Sequence, residues 1–142
     1  MRVLSFLTCE DVRREIDGKV TLVGVYDGLH LRDSDLRNGA TVRIAAQLRV
    51  LFDDRDRLPD RVQMTIHLDD DELLAGHTEI SGLTTTKPYG LNLPMALLPI
   101  DRPGVIVFTF VFSAGAAPIA DPLRFTFEIS ADPPQAEGAG TQ

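Results

Sequence analysis

The chain has 142 residues, of which 44% are hydrophobic and 25% charged, the size and composition of one globular domain with a sizeable core. Its formal charge of −7 and isoelectric point of about 4.8 argue against a broad nucleic-acid or anionic-membrane surface. Cys9 is the single cysteine, which excludes an internal disulfide and a thiolate metal cluster.

Residues 2–9 read as a first strand with a Leu/Phe face and a Val face. This apolar start stops at Glu10 and Asp11, too soon for a signal peptide. No later run approaches the ~18 apolar residues of a membrane-spanning helix. A cytoplasmic protein is expected.

Residues 10–16 are charged and fit either a short helical turn or an extended edge. Asp17-Gly18 marks a tight turn, because glycine tolerates positive φ. A second strand follows over residues 19–26, where Gly24 points to a bulge or a close backbone approach. Residues 27–40 are loop-like, with a short strand at residues 29–31 and a turn at Asn38-Gly39.

The cleanest alternation spans residues 41–52, with Val42, Ile44, Ala46, Leu48, Val50 and Phe52 inward and Arg43, Gln47 and Arg49 outward. Residues 61–68 repeat it after a charged loop, and Asp69-Asp70-Asp71-Glu72 turns the chain into a return strand over residues 73–81. Residues 91–98 hold Pro94, which restricts them to an edge strand or a covering segment.

Residues 105–112, VIVFTFVF, are β-branched or aromatic throughout and contain no Gly or Pro. One face carries Ile106, Phe108, Phe110 and Phe112, and the other Val105, Val107, Thr109 and Val111. A central strand covered on both sides is predicted. Residues 91–99 or a partner chain are the candidates to cover the Val face. A last strand spans residues 123–130.

Turn-separated strands without an amphipathic helix predict an all-β chain with little helix. The expected architecture is an antiparallel two-layer β-sandwich, with a partly open β-barrel as the alternative. Residues 1–130 form the single domain, and residues 131–142 a flexible Pro/Gly/Ala-rich tail.

The opening residues 3–11 (VLSFLTCED) lead into residues 17–27 (DGKVTLVGVYD). This apolar start ending in an acid, followed by D-G-K and an apolar G-V-Y, resembles an uncharacterised bacterial family of small β-sandwich-like proteins of unknown function. The acid-rich turn over residues 68–72 is similar too. The resemblance implies a β-sandwich and offers no catalytic residues.

Among chemistry-bearing residues, His67 and Asp69 are two apart, as are His77 and Glu79, so each pair can share a strand face. A hairpin centred near Glu72 would set His67 opposite His77, within reach of a two-histidine, one-carboxylate zinc or iron site. The simpler reading is a solvated face, since His67 follows Arg61, Gln63 and Thr65 on the polar side, and no cofactor is then needed. Two acidic groups, Asp53/Asp54/Asp56 and Asp69 to Glu72, bracket one strand and so sit more than ~20 Å apart. They cannot share a calcium ion, and solvated turns are expected. Cys9, among apolar residues and beside Glu10, is expected to be a buried small hydrophobe with a raised pKa.

Two functions are therefore expected to compete. The first is a non-enzymatic interaction or assembly module, working as a homo-oligomer or with another protein. The second is a small-ligand or metal-binding protein built on His67, Asp69, His77 and Glu79.

Overall fold

The computed structural model describes residues 1–132. The elements in order are β1 (Arg2–Cys9), β2 (Asp11–Arg14), β3 (Val20–Val23), β4 (Gly28–Leu31), α1 (Asp33–Arg37), β5 (Ala40–Leu51), β6 (Arg61–Leu68), β7 (Asp71–Glu79), β8 (Tyr89–Ile100), β9 (Gly104–Ala114), β10 (Ala117–Pro118) and β11 (Leu123–Ala131).

Two sheets pack face to face. The smaller has the order β1-β5-β8, and the larger β4-β11-β9-β6-β7, with β10 added beside β9. No barrel closes among the described residues. The sandwich arises because alternation on β5, β6 and β9 supplies two apolar faces that can be buried only against each other.

β9 is the central strand, antiparallel to β6 on one side and to β11 on the other. Its Ile106, Phe108, Phe110 and Phe112 are fully buried against Ile44, Leu48, Val50, Leu98 and Ile100 of the smaller sheet. Phe6 of β1 reaches across the layers. Its ring stacks on Phe125 with centroids 4.3 Å apart and meets Phe108 edge-on at 5.1 Å.

Several details differ from the sequence reading. β4 and β11 pair in parallel, so the larger sheet is mixed rather than wholly antiparallel. The charged segment after β1 takes the extended form of the two expected, and the expected turn at Asp17-Gly18, with Gly18 at φ of 82°, closes it into a hairpin with β3. The strand expected over residues 19–26 ends at Val23, because Gly24 turns the chain with φ of 66°. A Cβ there would lie 2.9 Å from the Glu10 side chain, so the close approach expected at this glycine is real.

α1 went unseen in the sequence because five residues with one buried apolar side chain, Leu36, carry no helical period. Its Asp33 and Arg37 pair across one turn. At the other end, Ala131 is still in β11, opposite Leu31, and Asp132 is described as well. The rest of the expected tail, residues 133–142, lies outside the described residues.

β8 lies over one face of the central strand only. It is an edge strand of the smaller sheet, bulged between Leu93 and Ala96, and it packs on the Phe face. It does not cover the Val face. Val105 is 39% exposed, while Val107, Thr109 and Val111 are half-buried beneath their neighbours. Those neighbours are polar: Glu128 opposes Val105, His67 and Thr126 flank Val107, and Gln63 opposes Val111. The Val stripe is thus one side chain wide, with polar rows on either side.

The two faces of β9 should respond unequally to truncation. Phe110→Ala is expected to cost about 3–5 kcal/mol in urea unfolding, and Thr109→Ala no more than about 1 kcal/mol.

Candidate functional site

The hairpin of β6 and β7 decides the fate of the histidine pair. Its turn is only Asp69-Asp70, with Leu68 opposite Asp71 and Asp69 at φ of 51°, a conformation aspartate tolerates. The turn therefore comes earlier than one centred on Glu72. His67 consequently opposes Glu72, and His77 opposes Gln63. Gln63 and His67 are four residues apart on β6, so the two imidazoles are separated by roughly 13 Å along the strand. Glu79 opposes Arg61 at the far end of the hairpin, and Asp69 belongs to the turn. Among the described residues, no group of three or more His, Cys, Asp and Glu side chains is placed to hold a metal ion.

The acidic turns find cations within the chain. Arg102 donates to Asp71 at 2.6 Å, to Asp101 at 3.1 Å and to the Leu68 carbonyl at 3.3 Å, and its Nε lies 3.5 Å from Asp69. Its pKa is raised above the ordinary arginine value, chiefly by the hydrogen bond to Asp71. Asp69 also accepts from the Val105 backbone N–H at 3.0 Å. A Cβ on Gly104 would fall 2.6 Å from the Asp69 carboxylate, so glycine makes room for it. In the other turn, Asp56 accepts from the N-terminal ammonium and from the Asp53 N–H. Those bonds hold its carboxyl below the usual aspartate value. Both turns are built structures rather than loose acidic clusters.

One polar constellation was invisible in the sequence. The parallel pairing of β4 with β11 brings His30 beside Ser130 and Asp132, about a hundred residues away. The imidazole Nδ1 lies 2.9 Å from Ser130 Oγ, and Nε2 lies 2.6 Å from Asp132 Oδ1. These are the residue types of a hydrolytic triad, and the physical setting differs. The His30 and Asp132 side chains are each 58% exposed, so neither is desolvated as an activated charge-relay pair requires. The cluster clasps the edge of the sheet. No local signal marks it, since only the long-range pairing assembles it.

Cys9 is fully buried, its thiol directed at the Asp11 and Ala45 carbonyls. Burial pushes its pKa up, as the apolar surroundings in the sequence imply.

The remaining feature is the β2–β3 hairpin. It branches from the end of β1, runs against β5 and β8, and is pinned at its base. Glu10 N–H donates to the Val23 carbonyl, Tyr26 N–H to the Thr8 carbonyl at 3.1 Å, and Thr8 Oγ1 to the Tyr26 carbonyl at 2.8 Å. The Tyr26 hydroxyl donates to the Arg43 carbonyl of β5. Burial, with Cys9 and Glu10 nearby, pushes this phenol up to about 12. At the far end Ile16 is fully exposed, and Val25 at the base is 51% exposed. Leu97 (59% exposed) and Met95 sit on β8, against which β2 runs.

Two outcomes follow from these contacts. Because Tyr26 titrates near 10 when unfolded and near 12 when folded, stability falls as pH rises through that window. Tyr26→Phe is expected to flatten this fall in thermal melts between about pH 10 and 12 while costing about 1 kcal/mol at neutral pH. Replacing both His67 and His77 by Ala is expected to shift stability by under about 1 kcal/mol in urea unfolding, since each lies on a polar face.

No family model and no curated protein is similar to this chain, so the function has to be argued from its geometry.

Proposed function

We propose that this protein is a non-enzymatic interaction module whose contact surface is centred on the β2–β3 hairpin. The observation that carries the reading is Ile16, a large apolar side chain fully exposed at the tip of an arm fastened at its base. Single exposed apolar residues are ordinary. This one is accompanied by Met95 and Leu97 on the strand beside the hairpin, and by Val25 at its root. An apolar tip on a pre-ordered support loses little further entropy on docking, which favours affinity.

The polar groups support the same reading. Arg102, Asp56, His30 and Cys9 each spend their hydrogen-bonding capacity inside the chain. The net charge of −7 opposes indiscriminate self-association and leaves docking to the local apolar surface.

A photo-crosslinking residue at position 16 should capture one discrete partner chain in cells, either a second copy or a single other protein. The same probe at exposed Lys87 should capture none. Ile16→Asp should abolish capture from a probe at Val25, at the root of the same hairpin, while moving stability by less than about 0.5 kcal/mol, because the native side chain contacts little. Indiscriminate products from both positions would count against the module.

A further inference from the structure

The larger sheet is five strands wide along its main path and the smaller only three. One edge of the larger sheet therefore overhangs. Leu74, Gly76 and Thr78 of β7 oppose Ile66, Met64 and Val62, so they share the inner face with buried residues, yet all three are exposed. Beneath Gly76 and Thr78 lies a largely apolar cleft of about 340 Å³, lined mainly by Val62, Met64, Gly76, Leu91, Leu93 and Pro94. A Cβ on Gly76 would meet nothing within 4 Å, so the space is open.

β7 is also a long edge strand. Natural sheets blunt their edges with short strands, Pro, Lys or bulges. β4 has four residues and runs into α1, and β8 carries Pro94, Pro99 and a bulge. β7 has nine residues, with no Pro, Lys or Arg. Its guards are a bulge near Leu73 at the turn end and the acids Asp71, Glu72 and Glu79, which repel another acidic edge and not a basic one.

Charge selects the occupant. Glu72 and Glu79 stand at the two ends of β7 on its outer face, and neither has an ion pair among the described residues. Two β7 strands paired about Ala75 would bring Glu72 of each copy near Glu79 of the other on one outer face, adding acids and no cation, so a second copy is disfavoured. A segment with cations on one face and apolar side chains on the other matches both surfaces. Lysines would meet Glu72 and Glu79, and an aromatic side chain opposite Gly76 would fold over the glycine into the cleft.

We infer that β7 is a strand-addition site for an extended basic segment of a partner protein with alternating apolar residues. The inference extends the interaction reading to a second surface, separate from the hairpin tip.

The probe is the peptide acetyl-Lys-Val-Lys-Phe-Lys-Val-Lys-amide, measured by fluorescence anisotropy and by hydrogen exchange of the full chain. It should bind with a Kd of about 100 µM or tighter and slow exchange within Asp71–Glu79. An N-methylated peptide of the same sequence and charge, unable to donate along its edge, should bind at least about tenfold more weakly. So should the chain carrying Gly76→Trp, which fills the cleft, and the chain carrying Glu72→Lys with Glu79→Lys. No binding at about 1 mM peptide, equal binding of the N-methylated form, or protection confined to other strands would each overturn the inference. Ile16→Asp separates the two surfaces. If that variant loses its crosslinked partner and still binds the peptide, both readings stand. If crosslinking at position 16 succeeds and the peptide fails, only the β7 inference falls.

Discussion

The row of Ile106, Phe108, Phe110 and Phe112 is the constraint on which this structure depends. Large side chains at alternate positions of one strand must all point the same way, and nothing in a chain this size hides them except a second sheet. The smaller sheet supplies that cover, with Phe6 inserted from its edge against Phe108 and Phe125. The positions of β5, β6, β8 and β11 follow from enclosing this row. The hairpin, the clasp at His30 and the overhang at β7 are what lies outside the enclosure.

The charged loops do structural work at the ends of the sandwich. A guanidinium beside three aspartates links the β6–β7 turn to the entry of β9, with the Asp69 carboxylate accepting the Val105 N–H. Exposed ion pairs contribute little individually. Here the backbone hydrogen bonds made by Asp69 and the Leu68 carbonyl matter more than the charges, because they set where the turn ends and so which residues of β7 face which residues of β6. Register, in turn, is what keeps the two histidines apart.

Alternation made β5, β6 and β9 legible from residues alone, and the two-layer sandwich with them. Gly24 likewise announced a close backbone approach and Pro94 an edge strand. Hairpin register was less accessible. Four consecutive acids look like one long turn, whereas the left-handed Asp69 closes the chain within two residues. Long-range pairing was out of reach: nothing near His30 in sequence hints that Ser130 and Asp132 will flank it. The internal cover expected over the Val face failed for a related reason. Residues 91–99 are apolar enough for either side of the large sheet, and only strand order puts them on the Phe side.

The placement of β11 has a consequence for biosynthesis. It pairs with β9 and β4, so the sandwich joins residues near the beginning of the chain to residues 123–131. Until that segment has left the ribosome, the aromatic row of β9 lacks one of its two neighbours and Phe6 lacks its stacking partner Phe125. Non-local pairing of this kind is slow to form and leaves apolar strand surface open while it does. The nascent chain must therefore carry its most hydrophobic strand unfinished until residues 123–131 emerge.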